Sequence, residues 1–511
     1  MSDSTYKILS EENLVSSLSN DDRNKVVFCF GHFNVIHPGH LRFLQQAKSL
    51  GKCLVVGVLQ DSDLDEGQLL YLYNEQERAK GVAALEFVDL VVVVKKNTLS
   101  ELVNKFKPSI CLLGKEFEDT EDPGILKIID SVKGTSGKIL YGSGDINYAK
   151  VGLADDYTVD IEQSNLKEFS KVCKRNGIDF NKISEKTDLF DVQNIIVIGD
   201  SIVDQYIACD AVGMSAEAPV VVVRELESKE YIGGAGIVAS HVSKLGANCH
   251  FVSIVGDDNS GKLITEKLQE DKVHTHLFID DTRPTTYKIR YLVENQKLFR
   301  VSRLKEHSIS KYLENKIIDK ILDLAKQCDG IIFSDFVYGV ITERLLNKII
   351  EISIENNIKL FGDLQCSSQI GNVTKFRKFD LITPTEREAR ISLANHDAGI
   401  ESIAQQLLNT TQANNLILKL GSEGFISYNN SNKKSIQSQH YPALISNPVD
   451  VAGAGDSLLA SVAISLCAGI PIMEASAIGA CVAALAVQTV GNIAISKAQL
   501  KNILRNLPNT V

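Results

Sequence analysis

Lys25–Leu59 reads "KVVFCFGHFNVIHPGHLRFLQQAKSLGKCLVVGVL". An apolar, β-branched run enters a loop carrying glycine and histidine, then a helix-length segment ("LRFLQQAKSLG"), then a second apolar run ("CLVVGVL"). Continuous apolar runs separated by helix-length segments predict strands of a parallel sheet covered on both faces. The alternation continues through "NEQERAKGVAALEF", "VDLVVVV", "SELVNKF", "SICLLG" and "KILYG". It defines one α/β unit over residues 25–150, behind a polar tail over 1–24.

Residues 151–193 are charged and mostly polar, with one amphipathic segment around Leu166–Cys173, and read as a linker. A second α/β series starts at "NIIVIGD" and runs over 194–511. Within it "TYKIRYLVENQKLFRV" predicts a small antiparallel β lid beside the larger body. The apolar "SLLASVAISLCAGIPIMEASAIGACVAALAVQTV" is broken by Pro471 and Glu474, so it reads as two buried helices and no membrane span.

Net charge is −10 with no long basic run, which argues against a dedicated nucleic-acid or anionic-membrane surface. The 10 cysteines include no Cys-x-x-Cys pair, so buried, reduced thiols of a cytoplasmic protein are expected. Met1–Lys25 lacks the apolar core of a signal peptide.

In Gly31–His40, "GHFNVIHPGH", a strand meets a loop and a helix start, where free backbone amides favour phosphate. His37 and His40 can both face one such anion and stabilise charge developing on phosphorus. The alternative is two ordinary loop histidines, because short motifs recur by chance. The arrangement resembles cytidylyltransferase-like nucleotidyltransferases, whose signature is Gly-x-Phe-Asp-x-x-His-x-Gly-His between a strand and a helix. "EQERAKGVAALEFVDLVVVV" and "KPSICLLGKEF" are similar to later segments of the adenylyltransferase half of ADP-heptose synthases. The resemblance implies a Rossmann-like sheet with Gly31, Phe33, His37, Gly39, His40 and Arg78 as nucleotide-binding residues. The chain departs from it at Asn34, which replaces an aspartate. "DSDLDEGQLLYLYNE" lacks the phosphate-neutralising lysine, and "GSGDINYAKVG" lacks an adjacent Ser-Thr pair.

Asn447–Ala460, "NPVDVAGAGDSLLA", carries the strongest chemistry in the chain. Small residues at Gly453, Ala454 and Gly455 let backbone amides face a phosphate as a nest, and Asp456 follows within reach of a hydroxyl. Phosphoryl transfer needs little beyond positioning, an anion hole and a base. The plainer alternative is a helix-capping turn with Asp456 favouring the dipole. "DVAGAGD" resembles the signature of ribokinase-like carbohydrate kinases. "GDSIVDQY", "YIGGAGIVASHVSKLGANCHFVSIVGDD", "RPTTYKIRYLVENQKLFRV", "LITPTEREAR" and "LKLGSEG" follow the kinase half of ADP-heptose synthases in order.

That resemblance implies Asp456 as catalytic base and Gly453, Ala454 and Gly455 as anion hole. It implies Asp200, Asp204, Gly233, Gly234, Lys288 and Arg303 as sugar-binding residues, with Lys419, Gly421 and Gly424 facing ATP. Glu388 would organise Mg²⁺ through water. For Lys288 and Arg303 a solvated surface role stays open. Departures are Ile237 for a sugar-bonding asparagine, Thr385 for an asparagine, Ala452 for a threonine, and "FGDLQCSSQI" in place of an Asp-Pro-Lys segment.

The expectation is therefore a bifunctional protein with the two domains in reversed order. Its kinase would phosphorylate the anomeric hydroxyl of a heptose 7-phosphate-like sugar using ATP. Its nucleotidyltransferase would make an activated sugar such as ADP-heptose for surface polysaccharide. Partners are the phosphorylated sugar and a nucleoside triphosphate, with no nucleic acid and no membrane; a homodimer is an assembly this reading allows. The alternatives are a kinase with a non-catalytic first domain, and a pseudoenzyme scaffold.

Overall fold

The computed structural model describes the chain except residues 1–3, 19–24, 35, 37, 64–72, 115–116, 118–119, 121, 136, 143–160, 218–219, 294–295, 367–368, 432–435 and 508–511. Two compact units emerge, Met1–Tyr157 with Asn395–Gln405, and Thr158–Ala394 with Gln406–Val511.

In the first unit the strands are β1 (Ile8–Leu9), β2 (Val26–Gly31), β3 (Cys53–Leu59), β4 (Leu90–Val94), β5 (Ile110–Gly114) and β6 (Lys138–Gly142). They form one all-parallel sheet in the order β1-β4-β3-β2-β5-β6. Alternation along β2 sends Val27 and Cys29 to a core with Ala79 and Val82, and Phe28 and Phe30 to a core with Leu102 and Phe106. Helices at Pro38–Ser49, Glu75–Ala83, Leu99–Phe106 and Pro123–Gly134 cover the two faces. Glu75–Ala83 starts from a capping box between Asn74 and Glu77. Because β3 and β5 flank β2, the strand order reverses beside β2, and Gly31 sits at the carboxyl end of that strand.

The tail expected over 1–24 belongs to this unit instead. Ile8 and Leu9 pair with Val91 and Val92, and Leu14 is fully buried from the helix Glu11–Ser17. A two-residue strand has no period to read, which is why composition hid it.

The second unit has a nine-stranded sheet. Its strands are β7 (Asn194–Gly199), β10 (Asn248–Val255), β11 (His274–Ile279), β14 (Gly330–Asp335), β15 (Lys359–Leu364), β16 (Leu381–Ile382), β17 (Asn415–Lys419), β18 (Phe425–Asn429) and β19 (Gln437–Tyr441). Their order is β11-β10-β7-β14-β15-β16-β17-β18-β19, parallel as far as β17 and antiparallel beyond it. The lid is a separate four-stranded sheet of β8 (Ser201–Met214), β9 (Val221–Gly234), β12 (Thr286–Val293) and β13 (Gln296–Arg303), ordered β13-β12-β8-β9. It is larger than expected and not wholly antiparallel, since β12 runs parallel to β8.

The apolar C-terminal run forms two helices, Ala454–Cys467 and Ile472–Ala486, as its broken pattern predicted. Among the described residues no helix is long and apolar enough to cross a membrane. The segment expected as a linker over 151–193 carries helices Ile161–Arg175 and Phe180–Lys186, and Phe169, Phe180 and Phe190 lie in the core of the second unit. Burying three phenylalanines outweighs the polar composition around them, each stabilising by roughly 1.5–3 kcal/mol.

Candidate active site

In an open parallel sheet, ligands bind beyond the carboxyl ends of the strands. The second unit places its charged residues there. Asp200 follows β7, Asp335 closes β14, Asp363 lies near the end of β15, and Lys419 closes β17. Asp200 Oδ2 accepts the Phe336 amide at 2.8 Å, while its Oδ1 is buried with no hydrogen-bond partner. Burial first, and the nearby Asp335 second, hold the Asp200 carboxyl above the usual carboxylate range. Asp335 is itself ion-paired with Lys375.

The glycine-rich turn lies beside these strand ends. Gly453 caps the helix Ala454–Cys467 with φ 79°, a left-handed conformation that favours glycine. The first-turn amides of that helix have no intrahelical partner and present positive charge to an anion. Asp456 stands in this turn, 6% exposed, and its Oδ1 accepts Gln365 Nε2 at 2.8 Å. Burial, and then Asp363, push its carboxyl up to about 7. A carboxylate with that affinity for protons is suited to general-base work.

Lys419 was expected at a nucleotide-facing loop. Its Nζ lies 2.7 Å from Asp363 Oδ1, and a Cβ on Gly455 would stand 3.2 Å from the same Nζ. Burial works to lower the Lys419 pKa, but Asp363, Glu388 and Asp456 outweigh it and hold it raised. A lysine ammonium thus lies against the glycine-rich turn. Gly421 and Gly424, at φ 66° and 88°, shape the turn between β17 and β18.

On the lid, Asp204 is ion-paired with Arg290, and its Oδ2 accepts Asn492 Nδ2 at 3.1 Å. The Gly233-Gly234 turn packs onto both aspartates. A Cβ on Gly233 would lie 2.2 Å from Asp204 Oδ2, and one on Gly234 would lie 2.4 Å from the Asp200 carbonyl oxygen. Ile237 is buried in the helix that follows. Lys288 is 3% exposed, with its ammonium 4.8 and 5.1 Å from the ring centroids of Phe336 and Tyr338. No carboxylate pairs with it among the described residues. Arg303 is exposed on β13, its guanidinium 5.9 Å from the Tyr287 ring. The structure therefore brings Lys288 to the site's inner wall and leaves Arg303 on the lid surface.

Asp450 links the lid to the glycine-rich turn. Its Oδ1 accepts Lys297 Nζ at 2.8 Å and the Ala452 amide at 3.0 Å, and its Oδ2 accepts Tyr206 Oη at 2.8 Å and the Gly491 amide at 3.2 Å. Thr385 and Glu388 form a capping box at the start of Glu386–Leu393. Thr385 therefore serves the helix where an asparagine was expected. Glu388 accepts the Cys366 amide at Oε1 (2.9 Å) and the Thr385 amide at Oε2 (2.8 Å). Each oxygen keeps a lone pair for water. Among the described residues no three His, Cys, Asp or Glu side chains are grouped to hold a metal ion. Asp363, Gln365, Arg290, Asp450 and Asn492 escaped the sequence reading. Asp363 carried a signal as an aspartate near the end of an apolar strand, Asp450 opens the quoted "DVAGAGD", and Gln365 lies in the quoted "FGDLQCSSQI".

In the first unit Gly31 closes β2, and Phe33, at φ 50°, packs edge-on against His40 with ring centroids 5.2 Å apart. Gly39 and His40 lie in the first turn of Pro38–Ser49, and His37 is outside the described residues. Arg78 is buried and ion-paired with Asp61 at 2.6 Å. It also donates to the carbonyls of His32, Leu59 and Tyr73. Its guanidinium braces the loops around the end of β2.

A buried carboxylate beside a glycine-rich helix start, at the carboxyl ends of an open sheet and under a β lid, fits a carbohydrate kinase of ribokinase-like fold. The chain belongs to the pfkB family of carbohydrate kinases, whose sequence profile matches residues 192–499. Residues 28–135 match the cytidylyltransferase-like profile. Among solved structures, phosphofructokinase-2 from Escherichia coli shares the fold with a TM-score of 0.52 and 15% identity, over 62% of this chain and 99% of that one. Ribokinase from Thermotoga maritima gives 0.50 and 20%, over 61% and 100%. The bifunctional protein HldE of Pelobacter propionicus is 30% identical over 315 residues, covering 60% of this chain and 62% of that protein. HldE of Campylobacter jejuni serotype O:6 is 30% identical over 319 residues, covering 61% and 64%. The chain thus spans less than two thirds of the length of these relatives.

Proposed function

We propose that the second unit transfers the γ-phosphate of ATP to the anomeric hydroxyl of a phosphorylated sugar of the heptose 7-phosphate type. The observation that carries this is Asp456, a buried carboxylate with its pKa pushed up to about 7, in the first turn of the helix that Gly453 caps. Asp456 takes the hydroxyl proton as the sugar oxygen bonds to phosphorus and the bond to ADP breaks. The turn's amides and Lys419 stabilise the charge on the transferring group. Lys288, a buried cation with no carboxylate partner among the described residues, supports a substrate that brings its own phosphate, since an uncompensated buried charge is costly. Mg²⁺, held mainly by nucleotide phosphates and water, would neutralise charge there, with Glu388 holding it through water.

The first unit, on this reading, joins the resulting sugar 1-phosphate to a nucleotide and releases pyrophosphate. The similarity to bifunctional HldE proteins supports it. The second reading is a kinase with a non-catalytic first unit. It is favoured by Arg78, whose guanidinium is committed to Asp61 and three carbonyls.

The kinase reading is tested by measuring ADP formation with ATP, Mg²⁺ and a panel of hexose and heptose phosphates. Asp456→Asn should lower sugar-dependent turnover by roughly 10²-fold or more. A variant as active as the parent would remove Asp456 as the base.

A further inference from the structure

Gln365 lies just past β15, in the segment that departs from the expected Asp-Pro-Lys. Its Nε2 donates to Asp456 Oδ1 at 2.8 Å and to Asp363 Oδ2 at 3.2 Å. Its backbone amide donates to the Asp335 carbonyl at 2.8 Å, which fixes the base of the side chain. Asp363 is anchored in turn by Lys419 at 2.7 Å and by Thr383 Oγ1 at 2.8 Å. A hydrogen-bonded relay therefore runs from Lys419 and Thr383 through Asp363 and Gln365 to Asp456. A primary amide has two N–H donors, enough to span two carboxylates that would otherwise repel.

We propose that Gln365 is a positioning residue for the kinase carboxylate. It holds Asp456 Oδ1 so that Oδ2 meets the sugar hydroxyl, and as a neutral donor where a lysine was expected it leaves Asp456 a stronger base. The inference rests on the kinase reading above. The charged groups that act on Asp456 are Asp363 from β15, Lys419 from β17 and Asp204 from β8. Burial, Asp363 and Asp204 raise its pKa, while Lys419 and the Gln365 hydrogen bond lower it. Turnover needs the ionised carboxylate, so kcat should fall as pH drops through the Asp456 pKa. A cation at residue 365 should move that acid limb to lower pH, and loss of the donor should move it to higher pH.

The test uses the intact chain, ATP, Mg²⁺ and whichever sugar phosphate of the panel the parent turns over. Gln365→Leu, similar in volume but without donors, should lower kcat by roughly 10–100-fold, as expected for a lost hydrogen bond to a charged group. Its KM for ATP and for sugar should stay within about two-fold, and its acid limb should shift up. Gln365→Lys should recover most of kcat and shift the limb down. Unchanged kcat in Gln365→Leu, or a loss of kcat with both acid limbs unmoved, overturns the proposal. If Gln365→Leu does not fold, the limb of Gln365→Lys decides alone. A parent that phosphorylates no member of the panel removes the kinase reading, and this inference with it.

Discussion

Lys288 and Asp456 are two buried charges with different environments. Asp456 is surrounded by partners that set its affinity for protons, whereas Lys288 faces two aromatic rings. Cation–π contacts supply only about 0.5–2 kcal/mol, well short of the cost of an unpaired buried ammonium. A phosphate on the substrate completes the balance. Lys288→Met should raise KM for a phosphorylated sugar by roughly 10–100-fold, the worth of a hydrogen bond to a charged group. The unphosphorylated sugar should be unaffected, and steady-state kinetics with the pair of substrates reads the difference. Equal effects on both would assign Lys288 to the fold. At this scale Gly453–Asp456 was legible as a glycine-rich turn entering a helix, because it is contiguous and needs no partner to be read. Gln365 and Asn492 were not readable, since their meaning comes from strand ends and loops that only folding brings together.

At the scale of elements, the Gly233-Gly234 turn joins lid and body. Gly234 has φ 59°, and its neighbour Ala235 donates its amide to the Asp200 carbonyl at 3.0 Å. Gly234→Ala should destabilise the second unit by about 1–3 kcal/mol through backbone strain, with further cost from the close oxygen. A thermal melt checks this, and a Tm equal to that of the parent would show that the turn relaxes without cost. Strands and helices of both bodies were legible because parallel strands buried on two faces are continuously apolar. The lid was only partly legible. Most residues of β9 and all of β13 are exposed, so neither strand shows the alternation that marks a half-buried sheet. Residues 161–193 misled for the opposite reason, since a few large phenylalanines sit among many charges.

For the whole molecule, the two readings differ in whether the first unit does chemistry. Incubating the intact protein with sugar 1-phosphates and nucleoside triphosphates should release pyrophosphate if it does, and His40→Ala should then lower the release by at least 10²-fold. No release across the panel would select the kinase with a non-catalytic first unit.

The Asp450 carboxylate carries a consequence for any motion of the lid. Of its four hydrogen bonds, Lys297 and Tyr206 come from the lid, while Ala452 and Gly491 come from the loops around the anion-hole turn. Raising the lid strips half of the donors from the residue that shapes that turn. If the lid lifts from the body, the order of the Gly453–Asp456 turn should fall with it, because the two share the Asp450 carboxylate.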